Sequence, residues 1–221
     1  MSTMVEDLLL FERYRCECYK FIAACYYLPD LEVLQDARLL AEALDIAAAK
    51  DLAHYLAEVD LIKEIEQLKI DFARLFVGPY ELLAPPYGSV YLDGARQVMG
   101  DSTIDARDRY QQVGLKVSRH EVPDHIAIEL EFMYYLAFRE TRCISDDDIK
   151  GALDLLWCQK QFLHDHLGAW ISAFASAVVT NAGTSFYRHL ARVTESFVLE
   201  DIETIDRLLM PELKELADGR K

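Results

Sequence analysis

His125 and Glu129 stand four residues apart, a spacing that sets an imidazole and a carboxylate on one face of a helix. With the run His164-Asp165-His166, they are the nearest approach of this chain to a metal site. Helical bundles that hold two metals use Glu-x-x-His pairs on facing helices, and no Glu-x-x-His occurs here. Residues two apart on a helix point in different directions, so His164 and His166 read as ordinary helix-end residues. Five cysteines, Cys16, Cys18, Cys25, Cys143 and Cys158, are odd in number and form no Cys-x-x-Cys pair. They are poor material for a zinc site or a disulfide framework and read as reduced thiols of a cytoplasmic protein. Gly-x-Ser-x-Gly is missing, and no glycine run precedes a Lys-Ser or Lys-Thr. Nothing in these motifs demands an enzyme, a metal or a cofactor. A metal-dependent helical-bundle enzyme using His125, Glu129 or His164 is the competing reading from another class.

The elements that would carry a site are helices. In 221 residues there are only 9 Gly and 6 Pro, and 52% of the chain is hydrophobic, enough for a packed core. Apolar positions Leu9, Tyr14, Cys18, Phe21, Ile22, Cys25 and Tyr26 predict a helix from Glu6 to Leu28, stopped by Pro29-Asp30. "LEVLQDARLLAEALD" predicts a second helix. Leu61, Ile65, Leu68, Phe72 and Leu75 predict a third over about 59–77. Residues 78–123 hold four of the prolines and read as a long connector around one shorter helix near 102–113. Beyond it, Pro123 or Asp124 marks the start of a helix that is apolar almost all round and therefore central. Further helices are expected at about 146–166, 168–180, 184–198 and 200–217. The expectation is a single all-α domain of eight to ten helices: an N-terminal half 1–77, a connector 78–123 and a C-terminal half 124–221.

Charge narrows the partners. There are 38 acidic against 23 basic residues, a net charge of −15, which argues against nucleic acid and anionic membrane surfaces. A basic partner and simple solubility both fit. The N-terminus places acids before a short apolar run, the reverse of a secretory signal, and "AWISAFASAVV" is too short to span a bilayer. Against that acidity, "DFARLFVGPYELLAPPYGSVYLD" at 71–93 keeps adding apolar side chains through what should be a polar loop. Phe72, Leu75, Phe76, Tyr80, Pro86, Tyr87 and Tyr91 either cap the core beneath the connector or form an exposed peptide groove. Glu121, Asp124 and His125 have two readings also: a helix start, or a carboxylate group awaiting an arginine from a partner.

Two segments together resemble the redox-enzyme maturation chaperones typified by TorD, DmsD and NarJ. "FARLFVGP…APPYGSVYLD" at 72–93 is similar to that family's aromatic-x-x-Leu-Phe helix end, proline pair, aromatic, Gly-Ser and Val-Tyr. "EVPDHIAIELEFMYYL" at 121–136 is similar to its Glu, Pro, Asp-His signature, although Val122 intervenes where some members place proline directly after the glutamate. "FLHDHLGAWISAF" at 162–174 extends the likeness. The resemblance implies a cytoplasmic chaperone without catalysis; nucleotide or molybdenum-cofactor binding is associated with that family, and no residue here is assigned to a cofactor. It would bind the twin-arginine signal peptide of an apo molybdoenzyme catalytic subunit, assist cofactor insertion and prevent premature export. A NarJ-like chaperone of a mature or unexported subunit is the alternative. The resemblance assigns peptide binding to Phe72, Leu75 and Phe76 as an apolar floor, Pro86 and Tyr87 as a loop wall, and Asp124 with His125 as the polar end. Tyr80, Tyr91 and Glu121 join them by proximity in sequence. Monomer and homodimer are both compatible with the long connector.

Overall fold

Runs free of Gly and Pro become helices in the order in which they occur. The structure, a computed structural model, describes residues 3–44, 46–78, 81–94, 98–118 and 121–218, with all side chains in those spans except 3–5, 7, 40 and 210–218. Among them are ten α-helices: α1 (Thr3–Ala24), α2 (Leu31–Ala43), α3 (Ala47–Glu58), α4 (Leu61–Phe72), α5 (Gly88–Leu92), α6 (Asp101–Gln112), α7 (Ile126–Ser145), α8 (Ile149–Asp165), α9 (Leu167–Asn181) and α10 (Ser185–Asp218). No strand occurs among the described residues, and the all-α expectation holds. Helix α1 lies along α7, α7 packs on α8, and α9 packs on α10, which carries α3 on another side. One core cluster draws on residues from Cys18 to Leu209, so both halves and the connector share it. As its all-round apolar pattern implies, α7 is central, with Ile126, Ala127, Leu130, Met133, Leu136 and Ala137 fully enclosed.

Three elements differ from the sequence reading. Four helices, not three, precede the aromatic stretch: "AAAKDLAHYLAE" forms α3, separated from α4 by Asp60, whose carboxylate accepts from the Ile62 N–H at 3.2 Å and starts the next helix. The connector holds two helices, since Gly88–Leu92 adds a short turn, α5, before α6. The segments expected at 184–198 and 200–217 are one continuous helix, α10. The acidic pair Glu200-Asp201 looks like a break in apolar spacing. Asp201 is instead buried and takes the Arg15 guanidinium.

That pairing belongs to a buried network tying α1, α7, α8 and α10. Arg15 Nε donates to Asp201 Oδ1 at 2.6 Å and Nη2 to Oδ2 at 3.0 Å, and Tyr19 donates to the same carboxylate at 2.6 Å. Arg15 also holds Glu12 and donates to Gln159, and Gln159 in turn donates to Glu140 at 2.6 Å. Three carboxylates thus surround one guanidinium out of reach of water. Burial pushes the Glu140 carboxyl up to about 8, the nearby Glu12 charge adds to the rise, and Arg15 opposes it. The folded protein therefore keeps a proton that the unfolded chain gives up above its ordinary carboxylate pKa, and stability falls as pH rises through about 8. Glu140→Gln is expected to flatten that slope, leaving the variant on the order of 1–2 kcal/mol more stable than wild type above the folded pKa. Urea unfolding midpoints across a pH series check this; parallel curves for the two proteins would refute it.

Candidate functional site

The end of α4 sets the geometry. Residues Ala73–Val77 continue α4 as a π-helical turn, closed by the Gly78 N–H on the Ala73 carbonyl at 2.9 Å. Gly78 then takes φ 87°, a left-handed conformation that favours glycine and turns the chain away from the helix. Within this turn Leu75 and Phe76 are both buried. After it, Ala84 N–H returns to the Leu75 carbonyl at 3.1 Å, folding the proline pair back over the helix end.

The two motifs meet there. Pro86–Gly88 runs antiparallel to Asp124–Ile126, with Ile126 N–H on the Pro86 carbonyl at 2.9 Å and Gly88 N–H on the Asp124 carbonyl at 2.8 Å. These bonds flank a single bridge between Tyr87 and His125. Asp124 is wholly buried, and its carboxylate accepts from the Ser89 N–H at 2.7 Å in the first turn of α5. Its side chain therefore serves α5, and His125 caps α7 instead, its Nδ1 accepting from the Ala127 N–H at 3.2 Å. Gly88 brings the backbone close to the indole: a Cβ there would stand 3.0 Å from Trp170 Nε1, so a larger residue needs the ring to give way.

The predicted site residues divide by access. Tyr87 and His125 are half-buried and pack edge-to-face at 5.4 Å, and Tyr27 stacks on the imidazole at 6.4 Å. Glu121 is exposed beside them in sequence. Pro86 and Asp124 are buried within the junction. Leu75 and Phe76 lie in the core, Phe76 among Tyr26, Phe72, Phe174 and Tyr187, and in this conformation they offer no floor to a ligand. Phe72 is half-buried at the edge of that cluster. Tyr91 is half-buried and stacks on Trp170 at 5.5 Å. Tyr80 lies outside the described residues. Sequence reasoning passed over Tyr27 and Glu131, joined by a 2.9 Å hydrogen bond from the phenol. Their signal in the sequence was an aromatic just before Pro29 and an acid breaking the apolar run of α7.

The titratable groups near the junction are engaged. Burial lowers the His125 pKa to about 4, against the opposing charge of Asp124, so its ring is neutral at neutral pH and does not repel a cation. Glu129 is enclosed and accepts from Trp170 Nε1 at 2.9 Å; burial raises its pKa well above the ordinary range, with that hydrogen bond opposing. His166 pairs with Asp105 at 2.7 Å and His164 with Asp206 at 3.3 Å. Among the described residues no group of three or more His, Cys, Asp and Glu is placed to hold a metal ion.

The aromatic-rich helix end, the proline pair and the Glu-Val-Pro-Asp-His turn, the segments that resemble the redox-enzyme maturation chaperones, thus close on one another. The chain belongs to the nitrate reductase delta subunit family, whose sequence profile matches residues 38–176 and so includes both motifs. Among its relatives, the chaperone protein TorD of Vibrio cholerae is 25% identical, over 93% of this chain and 98% of that one. The Tat proofreading chaperone DmsD of Salmonella typhimurium is 33% identical over 58% of this chain and 59% of its own. The crystal structure of a candidate redox enzyme maturation protein from Archaeoglobus fulgidus superposes with a TM-score of 0.55 at 25% identity, covering 83% of this chain and 93% of that one.

Proposed function

We propose that this protein is a cytoplasmic maturation chaperone that binds the twin-arginine signal peptide of a molybdenum-cofactor oxidoreductase subunit, assists cofactor insertion and delays export. Relatives named as a Tat proofreading chaperone and as TorD support the class. No helix among the described residues is long and apolar enough to cross a membrane. The observation that carries the site is the Tyr87–His125 bridge, which sets three aromatic rings at the surface beside the exposed Glu121 carboxylate. A signal of this kind offers arginines next to an apolar stretch. Rings take the apolar part, carboxylates attract the guanidinium groups, and a neutral His125 does not oppose them. The work is binding, and no residue is given a catalytic role.

Titrating the protein with a labelled peptide that carries an arginine pair followed by a leucine-rich stretch tests this reading. Tyr87→Ala should weaken binding about tenfold, the loss of roughly 1.4 kcal/mol, with little change in the unfolding midpoint because Tyr87 is only half-buried. Unchanged affinity would remove Tyr87 from the site. In a second reading the client is the mature or an unexported enzyme subunit; the family's name ties it to nitrate reductase. Binding to the apo subunit lacking its N-terminal segment, with none to the peptide, would select it.

A further inference from the structure

With Leu75 and Phe76 enclosed, the apolar side chain of a client needs another receptacle. One opens beside the Tyr87–His125 junction, between α7 and the segment that follows α6. Its floor is Ile128 and Phe132 of α7 with Tyr110 at the end of α6, and Leu115, Val117 and Tyr135 wall it. The cavity measures 240 Å³, larger than the ~150 Å³ apolar cavity that accepts a benzene ring, so a leucine or phenylalanine side chain fits. Phe132, Ile128 and Tyr110 are buried, and the walls are half-buried, leaving the groove open on one side.

The rim is acidic. Glu121 and Glu131 are both exposed, facing Lys116 as the third charged member of the lining. The Glu131 carboxyl is held above its ordinary range by partial burial, with the Tyr27 hydrogen bond opposing and the Glu121 charge raising it further. The two carboxylates therefore feel one another, and a cation placed between them relieves that repulsion. Tyr27 ties this rim to the junction, because the ring that stacks on His125 is the one whose hydroxyl donates to Glu131. An apolar slot with two carboxylates at its mouth is complementary to a guanidinium beside an aliphatic or aromatic side chain, and a wholly apolar or acidic segment matches it poorly.

We propose that the groove between α7 and the segment after α6 is the subsite for one apolar side chain of the client peptide, with an adjacent arginine between Glu121 and Glu131. This rests on the peptide-binding reading above and places that peptide on α7 instead of on the end of α4.

The test uses the full chain and two variants chosen to spare the core. Glu131→Gln keeps an acceptor for Tyr27 and removes the charge; Val117→Trp fills the slot from a half-buried position outside any helix. Each is titrated with the arginine-pair, leucine-rich peptide, with a version carrying glutamines for the arginines, and with a version carrying serines for the leucines. Unfolding midpoints confirm that each variant is folded. Glu131→Gln is expected to weaken the arginine peptide about three- to tenfold at low salt and to leave the glutamine version unaffected. Val117→Trp is expected to weaken the leucine peptide at least about tenfold and to leave the serine version unaffected. Both variants binding the first peptide as tightly as wild type, while Tyr87→Ala weakens it, would overturn the groove and leave peptide recognition standing. Equal losses for all three peptides would overturn it as well. Wild-type protein binding none of them would overturn the peptide reading and the groove together.

Discussion

Phe76→Ala should lower the free energy of unfolding by about 3–5 kcal/mol, the range for deleting an enclosed aromatic side chain. Phe76 is 4% exposed and touches four rings: Phe72 at 5.4 Å, Tyr187 at 5.5 Å, Tyr26 at 6.0 Å and Phe174 at 6.1 Å. Those partners come from the turn after α1 and from α4, α9 and α10, which prevents the space from collapsing when the ring is removed. At roughly 2–4 °C per kcal/mol for a chain of this size, the thermal midpoint should fall by about 10 °C. Peptide affinity, measured well below that midpoint, should stay close to wild type. The reverse result, an unmoved midpoint with lost affinity, would mean that Phe76 lies open to the peptide. Substitutions at Phe76 and Asp124 are thus poor probes of binding unless stability is measured beside them, since Asp124→Ala also releases the Ser89 N–H that the carboxylate holds.

The second large effect lies in the buried network around Arg15. Arg15→Met is expected to cost about 3–5 kcal/mol at neutral pH, because it removes the one cation from among Glu12, Glu140 and Asp201 while leaving the acids enclosed. The methionine fits the same channel, so packing alone does not account for a loss of that size. Lowering the pH, which neutralises carboxylates that have lost their counter-charge, should narrow the gap between variant and wild type. Adding Asp201→Asn to Arg15→Met should recover part of the loss, giving a coupling on the order of 1–3 kcal/mol between the two positions. Chemical unfolding of the four proteins of that cycle measures it, and simple additivity would show that the pair does not act as a unit.

How far local pattern reaches is visible at particular elements. The helical spacing of Leu61, Ile65 and Leu68 belongs to α4 itself, and the unbroken apolar surface of α7 required a central position wherever its neighbours lay. Pro29 and Gly183 lie between helices as their chemistry demands. The alanine-rich α3 escaped notice because alanines mark an apolar face weakly. The continuity of α10 was hidden because an aspartate in sequence reads as an exposed residue, and only a guanidinium donated by α1 makes the burial of Asp201 tolerable.

The aromatic stretch at 71–93 shows the same division. Apolar periodicity and the scarcity of Gly and Pro along the chain were enough to determine an all-helical fold, and this stretch with the motif at 121–136 pointed, through resemblance, to the redox-enzyme maturation family to which the chain belongs. Which of its side chains are covered was decided by tertiary structure alone. The π turn and the returning Ala84 enclose Leu75 and Phe76, the Pro86–Gly88 segment pairs with Asp124–Ile126, and Tyr27 arrives from the bend after α1 to stack on His125. Periodicity and motif are properties of neighbours along the chain, so they identify apolar faces and helix ends. Burial depends on what the rest of the chain lays over those faces, and here the covering pieces come from segments remote in sequence.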